Sequence, residues 1–501
     1  MSRISRLLTA AFFLLLLATC SKPKPAGIPE HLLEIMEANR AIALPPFSDD
    51  FAERTDVFLT QGLTSEEDDR ISRERSWVAL ARGQGIRAIS SANNPVGSIS
   101  REDAAKDINF LFDLMKYGYA GYQHFGGDEV FLPIRNSMLE RLEKMPGAIT
   151  GGVLLQEFLV PGLRTAIADN HFQLHDVTLG ASGFGARINE EFVLYQGQGG
   201  FTTTIKNVAY RLVGATLFGQ EVDGILPTLT REGEAAFVFG HVADWGQLGH
   251  LGPARMTVHL EAVGSGEELS LDVRLGSMAN FGRSDTVLYQ YEAKGVPVVV
   301  NRTLSEPHLT NSATGRFRES GRSLRGSPVI VLDLRGHSGG VPGPIISWIN
   351  ALTTGSSPSG RAFGTFDLES RTNDNFMRTV PVWTKNIPEA STLPLSNESL
   401  IVVLTDNNMA SVGDLIVGYL RELENVLFVG TNTRGVILTG GIKRNVLPRS
   451  NITVVFGTQL HLRPDFSQFE GVGFLPDLWV PPTESLERVL AFIERYGLAH
   501  K

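Results

Sequence analysis

The chain has 501 residues, 42% of them hydrophobic and 20% charged, with a formal net charge of −9. This excludes a disordered or fibrous protein and allows about two to four domains. An acidic balance without a basic cluster argues against nucleic acid as a partner, and a single cysteine excludes an intramolecular disulfide.

The chain opens with a targeting pattern. Arg3 and Arg6 precede an apolar run at 7–18 that is too short to span a bilayer. It ends in Leu17-Ala18-Thr19-Cys20, which resembles a bacterial lipobox, with Thr19 where Gly or Ala is more usual. The expectation is a lipoprotein signal peptide over 1–20, export to the bacterial cell envelope, and a lipid anchor on Cys20 at the periplasmic side. No other stretch reaches the roughly 18 uncharged apolar residues of a spanning helix.

Residues 21–45 read as a tether, beginning with the Pro- and Lys-rich run S-K-P-K-P-A-G-I-P. Residues 46–175 read as a helical N-terminal lobe, with helices at 64–81, 99–115, 138–145 and 152–168. Ser100, three residues before Asp103, is an N-cap signal, and Ile108, Leu111, Phe112 and Met115 share one helical face. Pro161-Gly162 should kink or split the last helix. Residues 176–320 form a β-rich middle region, with a degenerate PDZ-like unit as one option and strands at 192–196, 208–213, 256–262 and 287–291. The glycine clusters at 183–185 and 197–200 lack the strand-to-helix spacing of a nucleotide loop and read as turns.

Residues 321–482 read as an α/β domain. Buried strands at 329–334, 400–405 and 426–430 alternate with helices at 342–352 and 411–423, a pattern that predicts a mainly parallel sheet. Residues 452–457 and 459–462 read as a closing hairpin, and an amphipathic helix begins the C-terminal segment 483–501.

Two serines compete for the chemistry. Gly336-His337-Ser338-Gly339-Gly340 fits the G-x-S-x-G of a nucleophile elbow, but Val341-Pro342-Gly343-Pro344 delays the helix that an elbow needs. Asp333 and Arg335 at the strand end read as structural. Ser411 follows the 400–405 strand and precedes a helix, where N-terminal N–H groups and the helix dipole favour negative charge. The N–H groups of Val412 and Gly340 can then form an oxyanion hole. Taken alone, Ser411 reads as a simple N-cap.

The ordered set D-L-R-G-H-S-G-G, T-D-N-N-M-A-S-V-G-D, G-T-N-T-R-G and F-E-G-V-G-F-L-P-D resembles the tail-specific (C-terminal processing) serine peptidase family. The resemblance implies a ClpP/crotonase-like catalytic domain with Ser411 as nucleophile and Gly340 and Val412 as oxyanion donors. The family's processing proteases carry a lysine base in G-x-x-T-x-G-K, and here Val436 stands in its place. The branch containing the tricorn core protease and interphotoreceptor retinoid-binding protein uses a histidine in a D-x-H-like motif. Asp169-Asn170-His171 is similar to it, which implies His171 as general base. Glu470 is then the supporting carboxylate, acting through Asn170 as one route. His337 stands where the family usually has Asn and is a candidate supporting contact or rival base.

The implied function is a serine endopeptidase acting on proteins or peptides of the cell envelope, without metal or organic cofactor. The alternatives are a non-catalytic ligand- or peptide-binding protein on the same fold and an esterase using Ser338. His171 and His175 lie four apart, but H-F-Q-L-H is not the zincin H-E-x-x-H. The aromatic stretch 117–128 reads either as a cleft lining or as packing of the lobe. Nothing in the sequence sets the oligomeric state.

Overall fold

The structure, a computed structural model, describes residues 30–40, 49–61, 66, 94–180, 183–249, 252–305, 308, 310–353, 364–369, 382–386, 397–462 and 469–499. The signal segment, Cys20 and the Pro-Lys run lie outside the described residues, as does the helix expected at 64–81 apart from Glu66. Among the described residues no helix is long and apolar enough to cross a membrane.

A six-stranded central sheet places the site. Its order is Tyr289–Ala293, Val296–Val300, Val329–Asp333, Leu400–Thr405, Val426–Gly430 and Leu478–Trp479. The first pair is antiparallel and the other four pairings are parallel. The inner strands are apolar except at the terminal Asp333 and Thr405, because both faces are covered. Ile330, Leu332, Ile401 and Val403 face the helices Asn311–Ser323, Gly343–Leu352 and Val412–Leu420. Val331, Val402 and Leu404 face the opposite side, against Val489, Phe492 and Ile493 of Ser485–Arg495. The first two strands of this sheet come from residues assigned to the middle region, so the catalytic unit begins earlier than position 321.

The same face holds Leu32 and Met36 from a helix at Glu30–Arg40. Much of the expected tether is therefore packed structure. Its Leu and Met at an i, i+4 spacing supply an apolar stripe that the preceding prolines obscure in the sequence.

The helical lobe follows its sequence signals in part, the helix expected at 138–145 being Gly127–Glu143. Helix Arg101–Gly118 begins at Ser100, whose hydroxyl accepts from the Asp103 N–H at 3.0 Å. The expected kink at Pro161 is resolved differently. Residues Leu154–Leu159 form a π-helical turn that runs into Val160–Arg164. A proline has no N–H to give the carbonyl four residues back. Here that carbonyl, of Glu157, accepts from Arg141 at 3.0 Å instead.

The middle region is a nine-stranded antiparallel sheet. The only helix that interrupts this sheet among the described residues is Trp245–Leu248, four residues long, which leaves no strand–helix groove of the PDZ kind. A third sheet joins lobe and catalytic domain. Gln173–Leu174, just after the lobe's last helix, pairs with Val455 and Val454 of Thr453–Leu462. That ten-residue strand forms its hairpin with Thr439–Val446 rather than folding on itself at Thr458. Its residues are buried on nearly every position, so no period marked its length or partner.

Candidate active site

Three turns leave the carboxyl ends of central strands side by side, which is where open α/β sheets place their sites. The turn after Val329–Asp333 is braced by a buried cluster. Arg302 and Arg335 both grip the Asp333 carboxylate, at 2.6 to 2.8 Å, and both lie over the Phe281 ring, at 4.7 and 4.2 Å. Burial alone would raise Asp333, but the hydrogen bonds from Arg335 and Arg302 hold its carboxyl below the usual range. Asp333 and Arg335 are thus structural, as expected. Asp406, at the end of the next strand, accepts the Gly336 N–H at 2.8 Å and ties the first turn to the second.

The Gly339-Gly340 pair then runs beside Ser411. A Cβ on Gly339 would stand 3.1 Å from the Ser411 Cβ and 3.5 Å from its Oγ. Gly340 has φ +133, and a Cβ there would come within 2.0 Å of the Leu304 carbonyl carbon, so only glycine fits. The Gly339 N–H donates to His337 Nδ1 at 3.1 Å and the Val341 N–H to the Leu304 carbonyl at 3.0 Å. Neither the Gly340 nor the Val412 N–H has an acceptor among the described residues.

Ser411 has φ 58 and ψ −118 and precedes the helix Val412–Leu420. A non-glycine residue at positive φ between a buried strand and a helix is the strained geometry of a nucleophile turn. No N-capping bond is made by its side chain, so the simple N-cap reading does not hold. Ser338, which carries the elbow motif, sits in ordinary backbone. It is exposed, its hydroxyl donates to Thr303 Oγ1 at 3.2 Å, and the next helix starts only at Gly343. The sequence motif and the elbow geometry therefore fall on different serines.

His337 is fully buried, and burial pushes its imidazole down to about 3. It accepts the Gly339 N–H, its carbonyl accepts the Ala410 N–H at 3.1 Å, and its Nε2 is buried without a partner. It is a brace between the two turns.

The base loop arrives from the helical lobe. The Asn170 N–H donates to Glu470 Oε1 at 2.6 Å, and Asn170 Nδ2 donates to the Gly435 carbonyl at 3.0 Å. Glu470 Oε2 accepts from the Ile437 and Leu438 N–H groups at 2.9 and 2.8 Å. Asp414, one turn along the helix from Ser411, accepts from the Gly435 and Val436 N–H groups at 2.9 and 3.1 Å. Segment 435–438 thus touches the nucleophile helix on one side and the His171 loop on the other. No hydrogen bond joins Ser411 to His171, and His171 Nδ1 is buried without a partner. Burial pushes His171 down to about 4, partly opposed by a hydrogen bond to the Thr439 backbone.

Glu470 meets the backbone of the base loop and not the imidazole. Its pKa is raised, first by burial and then by the neighbouring Asp169. Val436, in the place of the family lysine, is buried, and Lys443 is exposed on the strand Thr439–Val446. The sequence reading passed over Asp414 and Asp169. Both are buried carboxylates held by hydrogen bonds without a cation among the described residues, and the only hint in the sequence was their presence inside the quoted motifs.

Residues 303–480 match the sequence profile of peptidase family S41. Among solved structures the chain is similar to mature CPAF, at 15% identity over 79% of this chain and 96% of that one, with a TM-score of 0.37. It is similar to the photosystem II D1 C-terminal processing protease at 15% identity, over 77% and 97% of the two chains, TM-score 0.33. The tricorn protease matches at 13% identity over 79% of this chain but 37% of its own length, TM-score 0.33. The chain carries, in residues 303–480, a serine-type peptidase domain of family S41.

Proposed function

We propose that the protein is a serine endopeptidase in which Ser411 attacks the peptide carbonyl, His171 takes its proton and returns it to the leaving amine, and the N–H groups of Gly340 and Val412 hold the oxyanion. The observation that carries this reading is the φ of +58 at Ser411, on a strand-to-helix turn beside two amides without acceptors. Glu470 acts at one remove, by clasping the Asn170 N–H and so placing the base loop. His171, held neutral by burial, is competent to accept a proton across the neutral range.

The N-terminal pattern supports export and a lipid anchor on Cys20, which makes polypeptides of the cell envelope the substrates in reach. The test is labelling of the full chain with a fluorophosphonate. Label is expected on Ser411, lost in Ser411→Ala and in His171→Ala, and kept in Ser338→Ala. Label on Ser338 would favour the esterase, and a folded protein without any label would favour a non-catalytic binding protein. Mass spectrometry of membrane-extracted protein, showing a diacylglyceryl group on Cys20, checks the anchor.

A further inference from the structure

In the aromatic stretch 117–128 the tyrosines are packing residues. Tyr119 and Tyr122 are almost fully buried, and Tyr119 packs edge-on against Phe172 at 5.0 Å and against Phe456 at 5.7 Å. The Tyr119 hydroxyl nevertheless leaves this apolar core to meet a carboxylate. It donates to Asp169 Oδ2 at 2.8 Å. The Thr439 hydroxyl donates to the same oxygen at 2.9 Å, and the His171 N–H donates to Oδ1 at 2.8 Å. Asp169 has no exposed surface, and no cation pairs with it among the described residues. A buried carboxylate without a counter-ion is costly and persists only with its lone pairs satisfied.

The three donors come from three different parts of the molecule. Tyr119 belongs to the helical lobe, Thr439 begins the strand that follows the segment under Ser411, and His171 is the proposed base. The backbone of Thr439 also faces the His171 imidazole. Asp169 therefore fixes both ends of the distance between the base and the catalytic segment.

We infer that Asp169 is the positioning residue of His171, with the Tyr119 and Thr439 hydroxyls as the two fixed points against which the base is set. The inference rests on His171 being the base. It assigns the carboxylate a geometric part: Oδ1 holds the His171 backbone, and Oδ2 holds the loop to the lobe and to the strand.

The test uses the full chain and the rate of fluorophosphonate labelling, separated into the maximal rate and the probe concentration at half-maximum. Tyr119→Phe and Thr439→Val each remove one hydroxyl at nearly constant volume. Each is expected to lower the maximal rate about fivefold, the worth of one net hydrogen bond, with the half-maximal concentration unchanged. Asp169→Ala is expected to fall about a hundredfold, the usual effect of a misplaced catalytic group. Asp169→Asn should stay close to wild type, because its Oδ1 still accepts from His171 and its amide can donate to the two hydroxyl oxygens. Melting curves show which variants are folded at the assay temperature.

Wild-type maximal rates in folded Tyr119→Phe and Thr439→Val overturn the inference. So does an Asp169→Asn variant as slow as Asp169→Ala, since charge and not position would then be the requirement. Labelling of His171→Ala at the wild-type rate overturns the base assignment itself. Loss in His171→Ala with no effect of the hydroxyl variants overturns the positioning role alone.

Discussion

The backbone N–H of Asn170 donates to the side chain of Glu470 at 2.6 Å, across 300 positions of sequence. This one bond fastens the loop that carries His171 to the turn that follows the last long strand. The other Glu470 oxygen is filled by two further backbone N–H groups, from Ile437 and Leu438. Glu470 is therefore a clasp between two backbones, and its effect on any imidazole is indirect.

Glu470→Gln keeps the shape of the side chain but turns one oxygen into an amide that cannot accept. At least one buried N–H is left without a partner, a loss of about 1–3 kcal/mol. Urea denaturation should show a lower midpoint by that amount. Fluorophosphonate labelling should slow, because the base loop is no longer fixed. Wild-type stability and labelling in this variant would remove Glu470 from the site.

Much of this arrangement was legible in the sequence, and the reasons are local. The apolar runs at 329–334, 400–405 and 426–430 announce buried parallel strands because both of their faces are covered. The Ser100–Asp103 spacing announces a helix start because the cap is a short-range bond. What was not legible depends on distant partners. The φ of Ser411 belongs to a turn that lies close against Gly339, and G-x-S-x-G pointed to the wrong serine for elbow geometry. The part played by Asp169 needs Tyr119 and Thr439, which are 50 positions before it and 270 after it. The partner of Thr453–Leu462 was hidden because burial on both faces erases the alternation that reveals a register.

The protonation of His171 gives a pH-dependent prediction. The base works when neutral, and burial holds its pKa at about 4. The labelling rate should stay level as pH falls from 7 to 5 and decline only on approach to about 4. An ordinary histidine would already lose half its competence near 6.5. A pH–rate profile of the maximal labelling rate, with an acid limb near 6.5, would contradict the buried neutral base.

Gly340 is a position where no other residue fits. An alanine would have to keep φ at +133 and place its methyl against the Leu304 backbone. The turn must shift, and its N–H would leave the oxyanion position. Loss of one such donor typically costs about 10²–10³ in rate. Gly340→Ala is expected to label that much more slowly with the half-maximal probe concentration little changed, while circular dichroism remains that of the folded protein. A folded Gly340→Ala with full activity would place the oxyanion elsewhere.

Asp333 holds two guanidiniums at once, from Arg302 and Arg335, in a buried cluster. Asp333→Asn leaves both cations without their counter-ion, and breaking a buried pair in this way costs about 3–5 kcal/mol. The loss should be large enough to lower the thermal midpoint by several degrees. It should also loosen the Gly339-Gly340 turn, since the Arg302 carbonyl accepts the Ser338 N–H at 2.9 Å. A wild-type melt in Asp333→Asn would show that the arginines find other acceptors.

His337 makes a prediction about stability rather than rate. Its folded pKa of about 3 lies well below the ordinary value. On unfolding at any pH between these values it takes up a proton that the native state does not bind. Its contribution to stability is therefore complete above about 6.5 and is lost as pH falls toward 3, by up to about 1.4 kcal/mol per pH unit. His337→Asn can still accept from the Gly339 N–H but has no proton to take up. Chemical denaturation at pH 7 and pH 5 should show the wild type losing more stability than the variant over this interval. Equal losses would mean that the imidazole is protonated in the folded protein, which would require Nδ1 to give up the Gly339 N–H that it accepts.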